Sequence, residues 1–307
     1  YHMSQTRERR RVALAASDAD GAVYNVFFHT FMAVGAARFG ARLVAIANNA
    51  DANNFINQAA IKSCLDEMKT FFNSTSDQDI AEIGFGNTTV ESRLAFLLAL
   101  QKVDLAFYDE LLLRVNSELI KYLVELADEV DEVHVAIASR RQDKDYDALA
   151  QQTNATGLFF RDIAVIKNKL ASENPDKAFL FDAAFVDIFN EMALGSHAQA
   201  TPSKLSQFDC DYHTDGSKIA THIMLIHGFL VEYLKKHPNV DVSLAYHFFD
   251  DLMSLHSKAS GVFGQHQQLI PANVSFQSVH YEGNSLTLCD DATQGSGAVN
   301  PDYAKFI

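Results

Sequence analysis

The chain has 307 residues, 48% of them hydrophobic, and a formal net charge of -14 at pH 7. That length and apolar content suffice for a large core, built as one domain with a sizeable insertion or as two domains. The charge argues against a nucleic-acid or anionic-membrane binder, because attraction to phosphate needs clustered Lys and Arg, and the one basic cluster, Arg7-Glu8-Arg9-Arg10-Arg11, reads as a solvated lead-in to the first strand.

Cys64, Cys210 and Cys289 are far apart and odd in number, so they form neither a disulfide framework nor a zinc pattern. With no visible signal peptide and no apolar stretch of the ~18 residues a membrane span needs, the chain is expected to be soluble and suited to a reducing cytosol.

The first predicted strand, Val12-Ala13-Leu14-Ala15-Ala16-Ser17, runs into Asp18-Ala19-Asp20-Gly21. Strand alternation places Asp18 and Asp20 on the same side as the chain leaves the sheet, and Gly21 permits a sharp bend. Two acids at one strand end bind a hard cation together, or divide into nucleophile and proton donor. Asp and Gly are also ordinary turn formers. An EF-hand loop does not fit, since the sixth and twelfth places from Asp18 hold Val23 and His29.

Residues 26–76 lack proline and carry a helical apolar pattern through Phe28, Phe31, Met32 and Gly35, then Ile61, Leu65, Met68 and Phe72. Asn73-Ser74-Thr75-Ser76-Asp77 breaks it, and Ile80 to Thr89 is an apolar run ending in hydroxyls. Helices predicted over Val90–Gln101 and Asp104–Leu126 precede a second strand, Val133–Ala138, which ends in Ser139-Arg140-Arg141-Gln142. Arg140 and Arg141 suit either a phosphate contact or a solvated surface.

A helix is then expected over Asp143–Gln152, with strand-like Gly157–Phe160 and Lys177–Phe181. Asp211 to Gly216 imitates a calcium loop but is spoiled by His213 and His222, and reads as a turn. Asp215-Gly216-Ser217-Lys218 opens an apolar helix, Ile219–Leu234, whose His222 and His227 read as core or groove histidines. A third strand, Val240–Phe249, ends in Asp250-Asp251, an acid pair that also suits a helix N-cap. Val274–Tyr281 and Leu286–Cys289 are strand-like. This alternation predicts an α/β fold, a parallel sheet with helices on both faces and an active site at the carboxyl ends of its strands.

The order Asp18-x-Asp20-Gly21, strand-end Ser139, Lys218 at a helix start, and strand-end Asp250-Asp251 resembles the haloacid dehalogenase superfamily of phosphohydrolases. The resemblance rests on four short motifs. It implies a Rossmann-like core over residues 10–25 and 116–307, with a largely helical cap inserted at 26–115. It implies Asp18 as nucleophile, Asp20 as general acid/base, Ser139 as the hydroxyl that orients the phosphoryl group, and Lys218 as the cation that neutralises it. Asp18, Asp20 through its backbone carbonyl, and the pair Asp250 and Asp251 would form a Mg2+ site. Thr88 competes with Ser139 for the second motif. Asp20 to Asn25, Ser139 to Gln142 and Gln294 to Ala298 are similar to the branch found among effectors that bacterial pathogens inject into host cells. Some of that branch are protein-tyrosine phosphatases, which implies a phosphoprotein or a small phosphomonoester as substrate. One departure is Ala22, where the superfamily usually has Thr.

The chemistry accounts for the residue types. A carboxylate approaching a phosphate monoester is repelled unless positive charge shields the phosphoryl oxygens, as Mg2+ and Lys218 would do. An aspartyl-phosphate on Asp18 would follow, with Asp20 protonating the leaving oxygen and then activating water. That role requires the Asp20 pKa to be raised by burial or neighbouring carboxylates. A binding protein that has lost turnover, and a phosphotransferase using the same residues, stand as alternatives.

Overall fold

The structure is a computed structural model that describes residues 6–48, 55–139, 141, 144–181 and 216–303. Among these, six strands form one sheet in the order β3-β2-β1-β4-β5-β6. They are β1 (Glu8–Ser17), β2 (Glu132–Ile137), β3 (Ala178–Phe181), β4 (Val240–Asp250), β5 (Val274–Glu282) and β6 (Ser285–Gln294). The first five run parallel and β6 pairs antiparallel with β5. This is a Rossmann-like α/β architecture.

Strand β1 lies at the centre because both of its faces are apolar. Val12, Leu14 and Ala16 join one core, and Ala13 and Ala15 join the other. The first core holds α9 (Gly216–Lys236) and α10 (Met253–Gln265) against β1, β4 and β5 through Ile223, Met224, Phe248, Ala259 and Phe276. The second core covers the opposite face with α6 (Ser117–Glu129) and α8 (Phe159–Glu173), the latter following α7 (Lys144–Asn154), through Leu123, Leu126, Ile163 and Ile166.

Five helices stand between β1 and α6: α1 (Val26–Ala47), α2 (Phe55–Asn73), α3 (Asp77–Ile83), α4 (Val90–Val103) and α5 (Leu105–Val115). Their apolar residues, among them Phe31, Phe72, Phe96 and Leu112, continue the second core without a break. Helix α1 is long and apolar enough to cross a membrane by length and composition, with a mean hydropathy of 1.4 over its best window, half of which is buried here. Polar residues such as His29, Thr30, Arg38 and Arg42 interrupt its apolar run, so no uninterrupted stretch of that length marks it in the sequence.

Several predicted elements change. The Asp104–Leu126 helix is two helices, divided at Asn116. Gly157–Phe160 is not a strand, because Phe159 opens α8 (Phe159–Glu173), whose Phe159, Ile163, Ile166 and Leu170 are buried at helical spacing. A four-residue apolar run suits either element, and only its continuation decides. Ile80–Thr89 divides into the end of α3 and a loop.

The basic lead-in is solvated at Arg7, Glu8, Arg9 and Arg11, the last three already in β1, whereas Arg10 donates to Tyr233 Oη at 2.9 Å and pairs with Glu132 at 3.5 Å. Arg140, Cys210 and the Asp211–Asp215 turn lie outside the described residues. Cys64 and Cys289 are free thiols.

Candidate active site

The site follows from parity and register. On β1 the side chains facing α9 and α10 are at even positions, as are those of β4 (Val240, Val242, Leu244, Tyr246, Phe248). One step beyond each run come Asp18 and Asp250. The two parallel strands pair Ser17 with Phe249, and the Asp18 N–H donates to the Phe249 carbonyl at 2.9 Å. Asp18 and Asp250 therefore stand side by side on the α9 face, one inter-strand spacing apart.

Helix α9 supplies the cation. Lys218, in its first turn, reaches Asp18 Oδ1 at 2.9 Å and Asp250 Oδ2 at 2.5 Å. Asp250 Oδ1 also accepts from the Leu252 N–H at 2.9 Å. Asp251 completes a group in which one oxygen of each of Asp18, Asp250 and Asp251 lies within 4.8 Å of the others. The helix N-cap is Leu252, so the acid pair is free of that role. Gly21 makes room for Asp251: its φ of +80° suits glycine, and a Cβ there would overlap the Asp251 carboxylate.

Three carboxylates share one ammonium, so two negative charges remain when all are ionised. Burial raises the Asp18 pKa to about 6, with Asp250 adding repulsion and Lys218 opposing. Burial also raises Asp250 and Asp251, the latter further by the charge of Asp18. Lys218 is held protonated by Asp18 and Asp250 against its own burial. All the ligand atoms are hard oxygens, and a divalent cation would cancel the remaining charge, so Asp18, Asp250 and Asp251 fit a magnesium-type ion.

Asp20 goes elsewhere. Beyond Asp18 the chain leaves the strand in a tight turn closed by Tyr24 N–H to Ala19 O at 2.9 Å and Gly21 N–H to Tyr24 O at 3.1 Å. This breaks the alternation expected to keep Asp18 and Asp20 on one side. Asp20 is 43% exposed and sits in the fork of Arg141, Nη2 to Oδ1 at 2.7 Å and Nε to Oδ2 at 3.1 Å. A second cation thus holds Asp20 where burial among carboxylates was expected. The turn is set by backbone bonds, with Ala22 wholly buried inside it, so it forms without the hydroxyl of a threonine.

Arg141 is neither a solvated residue nor exposed for a phosphate. It is fully buried, donates to Asp147 Oδ1, Thr156 Oγ1 and Gly157 O, and lies 5.0 Å from the Tyr24 ring centroid. Ser139 stands just past the end of β2 and its Oγ accepts from the Arg141 N–H at 3.2 Å. Thr88 caps its own loop, donating to Phe85 O at 2.8 Å. Its placement in the α3–α4 loop puts it on no strand end, whereas Ser139 is on one neighbouring β1.

His29, in the first turn of α1, is lowered to about 4 by burial, although the charge of Asp20 opposes this. The sequence gives no sign of it, because a lone histidine on an apolar helix has no distinguishing spacing. His222 and His227 are core histidines, bonded to Tyr246 Oη and Leu269 O.

No family model, no curated protein and no solved structure matches this chain. The site's position carries the chemical argument. In open α/β sheets ligands bind beyond the carboxyl ends of the strands where the strand order reverses. Here that reversal is between β1 and β4, at Asp18 and Asp250. A buried acid cluster with a single lysine at that point can hold a divalent cation together with a phosphate or another anion.

Proposed function

We propose that this protein is a magnesium-dependent phosphomonoester hydrolase of the haloacid dehalogenase type. The observation that carries the reading is the convergence of Asp18, Asp250, Asp251 and Lys218 at the sheet's switch point. Four residues taken from three separate motifs are neighbours in space.

In this reading Asp18 attacks phosphorus and carries the aspartyl-phosphate. Lys218 moves from balancing two carboxylates to sharing its charge with the phosphoryl oxygens, and Ser139 donates to one of them. Bound magnesium supplies further charge neutralisation and alignment of the phosphoryl group. Asp20 passes a proton to the leaving oxygen, which requires its carboxyl to loosen from the Arg141 fork. It then takes a proton from the water that releases phosphate.

The insertion at 26–115 acts as the cap that selects the substrate. Phosphotyrosine as substrate and membership of the effector branch rest on the motif resemblance, and residence in a cytosol on the cysteine pattern and the lack of a visible signal peptide.

The test is hydrolysis of p-nitrophenyl phosphate and a phosphotyrosine peptide, with and without magnesium, by the parent and by Asp18→Asn. Turnover requiring both magnesium and Asp18 is expected. Turnover retained in Asp18→Asn would sink the mechanism. A binding protein without turnover is the second reading. It is favoured by the cation pairing of both Asp18 and Asp20, and would show magnesium binding with no hydrolysis of either compound.

A further inference from the structure

Arg141 is bound at every donor it has. Nε donates to Asp20 Oδ2 at 3.1 Å, Nη1 to Asp147 Oδ1 at 3.1 Å and Gly157 O at 3.2 Å, and Nη2 to Asp20 Oδ1 and Thr156 Oγ1, both at 2.7 Å. A guanidinium has five N–H groups, so none is left for a substrate anion. Of its side-chain partners Asp147 and Thr156 are buried, and only Asp20 reaches solvent. The fully buried cation thus has one outward connection, to a carboxylate beside the acid cluster.

The chain is strained where it grips Arg141. Helix α7 ends at Asn154, and Ala155 takes a left-handed φ of +54° although it is fully buried. Glycine is the usual residue at such a helix end, because a Cβ is disfavoured there. The residue before this turn, Asn154, donates to Asp20 Oδ1 at 3.3 Å, and the residue after it, Thr156, accepts from Arg141. Asp147, in the first turn of the same helix, takes Nη1 and the Phe159 N–H that opens α8. Strain kept in a buried turn, with both neighbours serving one carboxylate, points to a function at that carboxylate.

The lone pairs show which oxygen of Asp20 is open. A carboxylate oxygen has two. Oδ1 accepts from Arg141 Nη2 and Asn154 Nδ2, whereas Oδ2 accepts from Nε alone among the described residues. A paired fork of this kind fits a carboxylate, the form that receives a proton.

We propose that Arg141 is a positioning residue for the second half of the reaction, holding Asp20 with Oδ2 open to the water that attacks the aspartyl-phosphate. In that step the water oxygen bonds to phosphorus and its proton passes to Asp20 Oδ2. The bond from phosphorus to the Asp18 oxygen breaks, and its electron pair stays on the Asp18 carboxylate. The proton gained is the one that Asp20, once loosened from the fork, delivers to the next leaving oxygen. This deepens the phosphohydrolase reading and rests on it.

The test is pre-steady-state hydrolysis of p-nitrophenyl phosphate with magnesium, reading nitrophenol release and acid-quenched phosphoenzyme together, in the parent, Arg141→Lys and Thr156→Val. The valine variant keeps the guanidinium and withdraws one of its anchors, so it serves if the lysine variant folds poorly. Misplacing the base should slow breakdown of the aspartyl-phosphate by about 10- to 100-fold, and its formation by less. Phosphoenzyme should therefore accumulate in both variants, with a stoichiometric burst of nitrophenol. If Arg141 acts through Asp20, adding Arg141→Lys to Asp20→Asn slows breakdown no further.

A merely structural role lowers the fraction of active enzyme, which shrinks every amplitude and leaves the ratio of the two rates unchanged. That result, or a further loss in the double variant, overturns the proposal while the phosphohydrolase reading stands. A parent that neither releases nitrophenol nor traps phosphate on Asp18 overturns both.

Discussion

Asn25 and Asn116 close the helical insertion by reaching across to each other's strand of chain. Asn25 Nδ2 donates to Val115 O at 2.7 Å, and Asn116 Nδ2 donates to Val23 O at 3.0 Å. Asn25 also caps α1 through the Phe28 N–H, while Asn116 accepts from Tyr281 Oη of β5 at 3.0 Å. Both are fully buried. The entry and exit of residues 26–115 are thereby pinned to each other and to the sheet, beside the turn that carries Asp20. Replacing Asn116 by alanine leaves Val23 O and Tyr281 Oη without their partner. We expect a loss of about 2–3 kcal/mol, measured by urea unfolding. A change below about 0.5 kcal/mol would mean that the junction is held by packing alone.

Gly21→Ala should act twice, through its positive φ and through the overlap with Asp251. The backbone strain costs about 1 kcal/mol or more, and Asp251 must move. Thermal denaturation reads the first effect. Magnesium titration reads the second, with affinity expected to fall at least 10-fold; unchanged affinity would remove Asp251 from the metal site.

Arg141→Ala removes the fork on Asp20 and takes the only cation from the buried Asp147, leaving it the backbone N–H groups of Phe159 and Phe160. Leaving a buried charge unpaired costs about 3–5 kcal/mol. Arg141→Lys keeps the charge but cannot reach both oxygens of Asp20 together with Asp147 and Thr156, so an intermediate loss is expected. Equal stability of the lysine variant and the parent, by chemical denaturation, would contradict this.

Magnesium should stabilise the parent. At a hundred times its dissociation constant a ligand specific for the folded state adds about 2.7 kcal/mol, and Asp250→Asn or Asp251→Asn should cancel most of the rise in Tm. Lys218→Met leaves three buried acids with no cation. Its stability should fall without magnesium and recover in part with it. A Tm for that variant indifferent to magnesium would count against a cation at this site.

Asp162 makes the pH prediction. Burial raises its pKa from 3.8 to about 6, against the opposing bonds from Tyr108 Oη, Tyr24 Oη and Arg161. The folded state holds this proton more tightly than the unfolded chain. The resulting contribution is full below pH about 4 and is lost as pH rises through about 6. Two pKa units correspond to about 3 kcal/mol. The stability of the parent minus that of Asp162→Asn should therefore fall by up to about 3 kcal/mol between pH 4 and 7; a difference that rises with pH would reverse the assignment.

Strand ends and their acids were legible in the sequence because buried strands declare themselves locally. Val12 to Ser17 is an apolar run of strand length and Val240 to Phe249 alternates apolar with other residues, and the acids that follow them mark where each strand leaves the core. The apolar spacing of Phe28, Phe31 and Met32, and the start of α9 near Lys218, are likewise short-range properties. The break at Asn116 was hidden because the helical pattern runs through it, and Asn116 is explained only by Val23 and Tyr281.

By itself, then, the sequence determined most of the elements, their amphipathic faces and the residue types waiting at the strand ends. The tertiary structure decided which charges meet. Asp18 and Asp20 are neighbours on paper, yet one turns to Lys218 and the other to Arg141, 121 residues away. Periodicity reports each residue's relation to its own helix or strand. Pairing across the sheet depends on strand order, on the register that levels Ser17 with Phe249, and on the turn at Gly21 that swings Asp20 out of line.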